Sequence, residues 1–318
     1  MQTVLVAGGA GFIGSHLCTS LLQKNYKVIC VDNFITSDKK NIEPLLNNQN
    51  FVFLERDVTK SLDLSEKIDY IFHLASPASP NKKSPRSYIN FPLETLMANS
   101  QGTHELLDLA KKNNSKFLYA STSEVYGDPE ISPQKESYFG NVNPNGVRSV
   151  YDEGKRFGEA ITMAYLRKFD IDIRIIRIFN TYGPSMQKDD GRVISNFINQ
   201  AMSNSPITIY GDGSQTRSCC FVSDMVDGLE KAIFSDKTKG EVINLGNPDE
   251  RKISELATII KDITNSQSDI VFEDLPEDDP KIRKPDISKA EQLIDWSPKI
   301  GIEEGIRKTV EYFKSTNI

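Results

Sequence analysis

The chain has 318 residues, of which 38% are hydrophobic and 26% charged, and its net charge at pH 7 is −6. Single hydrophobic cores tend to stop growing at ~250–300 residues, so this length predicts two lobes with a cleft between them. The acidic balance without a long basic run argues against a nucleic-acid-binding surface, and no stretch reaches the ~20 apolar residues of a membrane span.

The cell compartment is indicated by the N-terminal residues and the cysteines. Residues 1–8 are apolar but lack a basic leader and run directly into glycines, so we expect no signal peptide. Cys18, Cys30, Cys219 and Cys220 show neither the spacing of a disulfide framework nor that of a zinc site. We therefore expect a reducing, cytoplasmic environment and no metal.

The first half of the chain alternates short β-branched apolar runs with longer amphipathic segments. The runs are residues 4–7, 28–31, 51–54, 70–74, 117–121 and 173–178. This alternation predicts a parallel sheet with helices on both faces. Residues 76–91 are rich in Pro, Ser, Asn and Lys, which predicts a long loop over the carboxyl edge of the sheet and a possible lid.

A glycine-rich turn follows the first predicted strand. Gly8, Gly11 and Gly14 have the spacing Gly-x-x-Gly-x-x-Gly and open a helix, with Phe12 and Ile13 between the last two glycines. Such glycines allow a tight turn and close approach to a pyrophosphate, and the helix N-terminus supplies amide donors to the anion. The pattern predicts a dinucleotide site, and the alternative is a tight turn without a ligand.

Acidic residues end the next two predicted strands. Asp32 would accept hydrogen bonds from the adenosine ribose hydroxyls and repel a 2′-phosphate, which favours NAD over NADP. Asn33 and Thr36 follow it in the predicted cofactor site. Asp57, followed by Val58, either reaches the adenine or caps a helix or turn.

The fourth and fifth strands complete the predicted cofactor site. Leu74, Ala75 and Ser76 end the fourth strand, where the loop would pass the cofactor, and Ala120 lies in the fifth. His73 stands inside an apolar run and is expected to be a packed core histidine. A dinucleotide is therefore expected along the carboxyl ends of these strands.

Two segments after the fifth strand suggest catalysis as well as cofactor binding. Tyr151 and Lys155 are four residues apart and share a helix face, where an ammonium can favour the phenolate, a usable base. Thr122 and Glu124 place a hydroxyl and a carboxylate at a strand end, where parallel sheets bind ligands. From the residues alone, Glu124 can equally be an ordinary carboxylate that caps or pairs.

After residue 180 the predicted elements become shorter and indicate a smaller lobe interleaved with the first. We expect helices at residues 193–202 and 224–234, from about 253, and at 302–313, and strands at residues 207–210, 216–222 and 242–245. The Pro and Asp cluster at residues 276–285 is predicted to be a loop.

Seven segments carry a family resemblance over essentially the whole length. They are HLASPASP at 73–80, STSEVYGDP at 121–129, YDEGKR at 151–156, RIFNTYGP at 177–184, DGRV at 190–193, QTRS at 215–218 and RKPD at 283–286. Together they resemble the extended short-chain dehydrogenases/reductases that modify nucleotide sugars, above all the UDP-glucuronate decarboxylases. The fold class is thus expected to be α/β, a Rossmann-type doubly wound parallel sheet with a smaller, interleaved C-terminal substrate lobe.

The predicted domains follow this architecture. Residues 1–180, with about 218–247, would form the NAD-binding domain. Residues 181–217 and 248–318 would form the UDP-sugar-binding lobe. The resemblance also implies a homodimer that pairs the helices near residues 95–113 and 151–168.

Ser123 separates the reactions of the related enzymes. The 4,6-dehydratases usually carry an Asp at its position to protonate the leaving hydroxyl, and a serine is not acidic enough for that task. The 4-epimerases usually have a small or hydroxyl residue at the position of Glu124, so a carboxylate argues against simple epimerisation. Decarboxylation is our first hypothesis, a neighbouring dehydratase or epimerase the second, and a non-catalytic NAD sensor the third.

The resemblance implies a catalytic cycle on UDP-glucuronate. Tyr151 would take the C4 hydroxyl proton while hydride passes to NAD, and Lys155 would lower the phenol pKa and hold the ribose. The β-keto acid would lose carbon dioxide, with Tyr151 and Thr122 stabilising the enolate oxygen. Return of the hydride would give UDP-xylose and regenerate NAD. Glu124 and Arg283 would handle the carboxylate end of the sugar.

Binding of the UDP-sugar is likewise implied by resemblance. The substrate site would comprise Pro77, Tyr88, Asn180, Arg192, Val193, Tyr210, Gln215, Arg217 and Arg283. Guanidinium groups suit phosphate oxygens. The alternative is that these arginines are solvated, Arg283 being an exposed loop charge.

The chain departs from the family pattern in three places. Ser185 stands where Arg is usual, Met97 stands where Lys is common, and the loop at residues 80–88 is a few residues longer. These departures predict a looser hold on the cofactor or a reshaped lid.

Overall fold

The computed structural model describes residues 1–274 and 282–316, and most of its strands belong to one parallel sheet. The strands are β1 (Thr3–Ala7), β2 (Lys27–Asp32), β3 (Phe51–Glu55), β4 (Tyr70–His73), β5 (Lys116–Thr122), β6 (Ile173–Ile178), β7 (Thr181–Tyr182), β8 (Ile207–Tyr210), β9 (Thr216–Ser218), β10 (Cys220–Phe221), β11 (Val242–Leu245), β12 (Glu250–Lys252) and β13 (Ile270–Glu273).

The helices cover both faces of that sheet. They are α1 (Phe12–Gln23), α2 (Pro92–Asn99), α3 (Gln101–Asn113), α4 (Ser149–Phe169), α5 (Val193–Met202), α6 (Val222–Phe234), α7 (Ile253–Thr264), α8 (Ser288–Ile294) and α9 (Ile302–Ser315). No helix within the described ranges is both long and apolar enough to cross a bilayer.

The order of the main sheet creates a crevice at its centre. Within the described residues, seven strands pair in the order β11-β6-β5-β4-β1-β2-β3, all parallel. The chain moves outwards from β1 through β2 to β3, and then returns to β4 on the other side of β1. Ligands of doubly wound sheets bind at the carboxyl ends of the strands where the order reverses in this way.

Continuous apolar runs form these strands because both faces of the sheet are covered. All five residues of β1 are buried. Val4 and Val6 pack in one core, with α1 and α6, whereas Leu5 and Ala7 pack in the other, with α3 and α4. A parallel strand buried on both faces needs apolar side chains at successive positions, which explains the runs seen in the sequence.

The structure confirms the predicted parallel α/β sheet and most of its elements. The strands at residues 173–178, 207–210 and 242–245 and the helix at residues 193–202 are found with the predicted bounds. The last of these strands, β11, is an edge strand of the main sheet. The division of the chain into two domains stays a prediction.

Two elements differ from prediction. The strand expected at residues 216–222 is two short strands, because β9 pairs with β12 whereas β10 pairs with β7, and Val222 already begins α6. The helix expected near residues 95–113 is broken at Ser100, whose hydroxyl donates to the Leu96 carbonyl at 2.7 Å. Such back-bonding by serine bends or interrupts helices.

Four strands and helices of the second half escaped prediction: β7, β12, β13 and α8. Of the loop predicted at residues 276–285, residues 276–281 lie outside the described residues. The remainder carries Arg283, and the backbone of its neighbour Pro285 pairs with Gln134. This pairing brings a distant loop to the edge of the site.

Candidate active site

The turn between β1 and α1 has no room for side chains at its glycines. A Cβ atom on Gly14 would overlap the carbonyl oxygen of Gly8, and one on Gly8 would lie 2.7 Å from the amide nitrogen of Ala75. Gly8 also has φ of +79°, which favours glycine. The helix α1 begins directly after Gly11, so its first amides face the carboxyl edge of the sheet. This cradle fits a dinucleotide pyrophosphate.

Asp32 ends β2 beside that turn. Its Oδ2 accepts from the Ala10 amide at 3.0 Å, and its Oδ1 accepts from the Phe34 amide at 2.9 Å and the Ser37 hydroxyl at 2.7 Å. Burial raises the pKa of this carboxyl, while these hydrogen bonds lower it. A carboxylate has about four acceptor positions, so one remains for a ligand hydroxyl.

Two adjoining cavities, together called the cofactor cavity, extend from the end of β3 to the start of α4. The outer one, of about 390 Å³, is lined by Asp32, Asn33, Thr36, Asp57, Val58, Leu74, Ala75, Ser76 and Pro77. The inner one, of about 230 Å³, is lined by Gly8, Gly11, Phe12, Ile13, Gly14, Tyr88, Ala120, Tyr151 and Lys155. The residues predicted to bind the cofactor therefore surround one continuous groove.

A larger cavity of about 780 Å³, called the substrate cavity, opens on the C-terminal side. It is lined by Glu124, Asn180, Arg192, Val193, Tyr210, Gln215, Arg217 and Arg283. Two residues predicted for the substrate lie elsewhere, since Pro77 and Tyr88 line the cofactor cavity. Glu124, Asn180 and Arg192 line both the substrate cavity and the inner cofactor cavity, so the two ligand spaces meet there.

Tyr151 lines the inner part of the cofactor cavity. It is in the first turn of α4, is buried, and its ring stacks on that of Tyr88 with centroids 4.9 Å apart and planes at 5°. Burial raises the pKa of Tyr151 to about 12, although a hydrogen bond with Thr122 and the charge of Arg192 favour the phenolate. In this environment the phenol holds its proton at neutral pH.

Lys155 contacts the backbone of β5 rather than the phenol oxygen. Its Nζ donates to the Ala120 carbonyl at 2.7 Å and lies 5.8 Å from the Tyr151 ring centroid. Burial lowers the pKa of Lys155 to about 7, against the effect of Glu159. We expected Lys155 to lower the Tyr151 pKa, but the pKa is raised because burial outweighs the groups that favour the phenolate.

One carboxylate oxygen of Glu124 holds two guanidinium groups. The Nη2 atoms of Arg148 and Arg283 lie 2.5 and 3.1 Å from Glu124 Oε2. Arg283 is 1% exposed, and its Nη1 donates to the Ser123 carbonyl at 2.7 Å. Burial alone would raise the Glu124 pKa, but Arg283 and Arg148 outweigh it and lower the pKa to about 2. Glu124 is therefore ionised, and Arg283 is not an exposed loop charge.

Arg148 and Asp152 belong to this cluster, but the sequence patterns did not identify either as a site residue. Arg148 stands three residues before Tyr151, so helical spacing could have placed it on the same face. Asp152 is buried beside the cluster; burial and the charge of Glu124 raise its pKa to about 8, although Arg148 and Arg283 oppose this. No motif pointed to Asp152, because its proton affinity depends on neighbours from other elements.

One acidic residue and one basic residue of the predicted site region make structural contacts. Asp57 accepts from the Thr59 amide at 2.9 Å, which is a turn role, while it also lines the cofactor cavity. Arg177 pairs with Glu159 at 2.8 Å and lies over the Tyr126 ring.

His73 is a core residue, as predicted. It is fully buried, its Nε2 lies 3.1 Å from the Thr103 hydroxyl, and burial lowers its pKa to about 3.

Comparisons with known proteins agree with this arrangement. Residues 4–246 match the NAD dependent epimerase/dehydratase family. UDP-glucuronic acid decarboxylase 1 of Xenopus tropicalis is 46% identical over 98% of this chain and 72% of its own length, and UDP-glucuronic acid decarboxylase 4 of Arabidopsis thaliana is 48% identical over 98% and 68%. The solved UDP-glucuronic acid 4-epimerase of Bacillus cereus, in complex with UDP-glucuronic acid and NAD, is 31% identical over 99% of this chain and 100% of its own, with a TM-score of 0.88.

Gly14→Ala should weaken NAD binding by about tenfold to a hundredfold, because overpacking the turn costs about 1–3 kcal/mol. Titration calorimetry with NAD measures the loss. Gly301→Ala is the matched control, since nothing lies within 4 Å of a Cβ atom there. Equal NAD affinity in Gly14→Ala and the parent protein would contradict the pyrophosphate cradle.

Glu124→Gln should lower the free energy of unfolding at pH 7 by about 2–3 kcal/mol, because two buried guanidinium groups lose a charged acceptor. The folded-state pKa of about 2 lies below the ordinary 4.5, so the stabilisation is present above pH 4.5 and is lost as the pH falls towards 2. Urea unfolding at several pH values should therefore show the gap between parent and variant closing over this range. Glu130→Gln, an exposed carboxylate, should show no such gap.

Proposed function

This chain belongs to the NAD dependent epimerase/dehydratase family, and we propose that it is a decarboxylase that converts UDP-glucuronate to UDP-xylose with NAD as a catalytic cofactor. The observation that carries the proposal is the ionised Glu124 held between Arg148 and Arg283, next to Ser123 and the buried Tyr151. The decarboxylase relatives share 46 and 48% of residues with the chain, and the solved epimerase shares 31%.

The cofactor cavity fits a dinucleotide from end to end. Gly8, Gly11 and Gly14 leave the backbone open to a pyrophosphate, Asp32 keeps an acceptor for a ribose hydroxyl, and Lys155 lies at the inner end. When bound, NAD supplies the oxidation of C4 that makes a β-keto acid, and later the reduction that restores the hydroxyl.

Tyr151 and Thr122 handle the proton and the oxygen at C4. The phenolate form of Tyr151 accepts the C4 hydroxyl proton during oxidation and becomes the phenol, and the hydrogen bond with Thr122 and the charge of Arg192 favour the phenolate before that transfer. After carbon dioxide leaves, negative charge develops on the C4 oxygen. The Tyr151 and Thr122 hydroxyls can donate to it, which stabilises the enolate.

The Glu124 cluster suits a sugar carboxylate that must leave. Glu124, Arg148 and Arg283 sum to a net charge of about +1, which attracts the carboxylate to the wall shared by the two cavities. Because Glu124 already engages both guanidinium groups, the ion pair with the substrate is weaker than with free arginines. Weaker ground-state binding leaves a smaller barrier to the loss of the carboxylate charge.

The substrate cavity offers cations for the UDP part of the substrate. Arg192 and Arg217 line it together with Tyr210 and Gln215, and Gln215 Nε2 donates to the Tyr210 carbonyl at 3.0 Å. Guanidinium groups match phosphate oxygens in pairs of parallel hydrogen bonds. We assign the diphosphate to this wall.

A homodimer through α2 and α4 is part of the proposal. These helices pack on each other and leave apolar side chains in solvent, with Leu93 70%, Met97 48% and Phe157 50% exposed. Exposed apolar side chains on neighbouring helices favour association with a partner surface. A cytoplasmic location is also proposed, since the four cysteines, all within the described ranges, are free and buried.

Purified protein incubated with UDP-glucuronate and NAD should release carbon dioxide and a UDP-pentose, without net NADH. Mass spectrometry of the nucleotide sugar distinguishes the alternatives: loss of carbon dioxide for decarboxylation, loss of water for a dehydratase, and no mass change for an epimerase.

Tyr151→Phe should lower turnover by about 10²–10⁴-fold while NAD still binds. Tyr312→Phe, in the remote α9, is the control, and unchanged turnover in Tyr151→Phe would remove the proposed base.

Phe157→Glu should convert the dimer to a monomer, because it places a charge in the proposed apolar interface. Light scattering coupled to size-exclusion chromatography measures the mass. The control is Phe169→Glu, at the last residue of α4. It tests whether a charge at any exposed phenylalanine of this helix has the same effect. A parent protein that runs as a monomer would refute the interface.

A further inference from the structure

Residues 77–91, called the strap, cross from the cofactor cavity to the substrate cavity. The strap is braced internally, since Tyr88 N donates to the Ser79 carbonyl at 3.0 Å and Asn90 Nδ2 donates to the Ser84 carbonyl at 2.9 Å. Ser79, Ser84 and Tyr88 are buried. The strap therefore has the contacts of an ordered segment.

On the substrate side, the strap is tied to the segment that precedes α5. The Ser79 and Ser84 hydroxyls donate to the carbonyls of Asp190 and Asp189, and Arg192 Nη2 donates to the Ala78 carbonyl at 3.3 Å. Arg192 itself lines both cavities. Arg192 therefore links the substrate cavity to the strap through the Ala78 carbonyl.

Arg86 connects the strap to the cofactor side. Its Nη1 donates to the Thr36 carbonyl at 2.8 Å and to the Ser37 carbonyl at 3.2 Å, while its Nε donates to Asp189 Oδ1 at 3.0 Å. Thr36 and Ser37 line the cofactor cavity, and the Ser37 hydroxyl donates to Asp32. One guanidinium thus joins the wall of the cofactor cavity to Asp189, which stands three positions before Arg192, a residue that lines both cavities.

The loop at residues 80–88 supplies the cation of this connection. Arg86 lies in the loop at residues 80–88, close in sequence to Met97. Met97 lines the outer part of the cofactor cavity and carries no charge. Arg86 therefore supplies a cation at the wall of the cofactor cavity, whereas Met97, in the outer part of the same cavity, is apolar.

We propose that Arg86 is a positioning residue that couples the two cavities, so that NAD and the nucleotide diphosphate of the substrate each strengthen the binding of the other. Because Arg86 bonds to both segments, a first ligand that restrains the 36–37 segment or the 189–192 segment also restrains the other through this guanidinium. The second ligand then loses less conformational freedom on binding, which is positive cooperativity without a large structural change. The proposal rests on the proposed function for the identity of the two ligands.

The test measures coupling rather than activity. Protein stripped of bound dinucleotide is titrated with NAD by calorimetry, with and without saturating UDP, and then with UDP in the presence and absence of NAD. In the parent protein UDP should lower the Kd for NAD by about fivefold or more, and NAD should lower the Kd for UDP by the same factor. In Arg86→Ala both ratios should fall to about one.

Three further variants separate coupling from general damage. Asp189→Ala breaks the same link from the other end and should also lower the ratio. Arg86→Lys should keep part of the ratio, since an ammonium can still pair with Asp189 but lacks the planar fork. The control is Arg251→Ala, which removes an Arg–Asp pair of the same length, 3.0 Å to Asp249, outside both cavities.

The outcomes are distinct. The inference is overturned if the parent protein shows a ratio of one, or if Arg86→Ala and Asp189→Ala keep the parent ratio. Arg251→Ala should match the parent, and a loss of coupling there would equally overturn the assignment to Arg86. The carbon dioxide assay on the parent protein reports separately on the proposed function. Turnover without coupling would contradict only this inference. Coupling that depends on Arg86, without turnover, would contradict only the decarboxylase assignment.

Discussion

The site depends on one ion cluster, the carboxylate of Glu124 between the guanidinium groups of Arg148 and Arg283. Three parts of the chain meet there: the end of β5, the start of α4 and the loop that carries Arg283, 159 positions after Glu124. Each arginine alone would be a costly charge in a closed site, and the carboxylate offsets both. The cluster therefore fixes the wall between the cofactor and substrate cavities, where we propose that the sugar reacts.

Burial controls the proton affinities around this cluster more than any single neighbour does. It raises the pKa of Tyr151, lowers that of Lys155 and raises that of Asp152, and only at Glu124 do the nearby charges prevail. The site thus keeps its phenol and one carboxyl protonated at pH 7. Any charge brought by ligands acts on groups that are already close to neutral, where a low dielectric makes its effect large.

Local patterns predicted the parts of this protein that depend on local physics. Parallel strands buried on both faces need continuous apolar runs, and a pyrophosphate turn needs glycines, so the main sheet and Gly8, Gly11 and Gly14 could be read directly. Helical spacing placed Tyr151 and Lys155 together.

The pKa of Tyr151 was predicted in the wrong direction, because it depends on how much of the surrounding structure covers the ring. The pairing of Glu124 with Arg283 was beyond any local rule, and β13, with exposed apolar residues, lacks the alternation that marks a strand.

The stacking of Tyr88 on Tyr151 has a consequence for the timing of proton transfer. Tyr88 belongs to the strap, so the ring that shields the proposed base from water is carried by the same segment that spans both cavities. Displacement of the strap would hydrate the phenol and move its pKa back towards 10, since burial is the main cause of the shift. A hydrated phenol would ionise more readily, and its phenolate would be a weaker base towards the hydroxyl of a bound sugar.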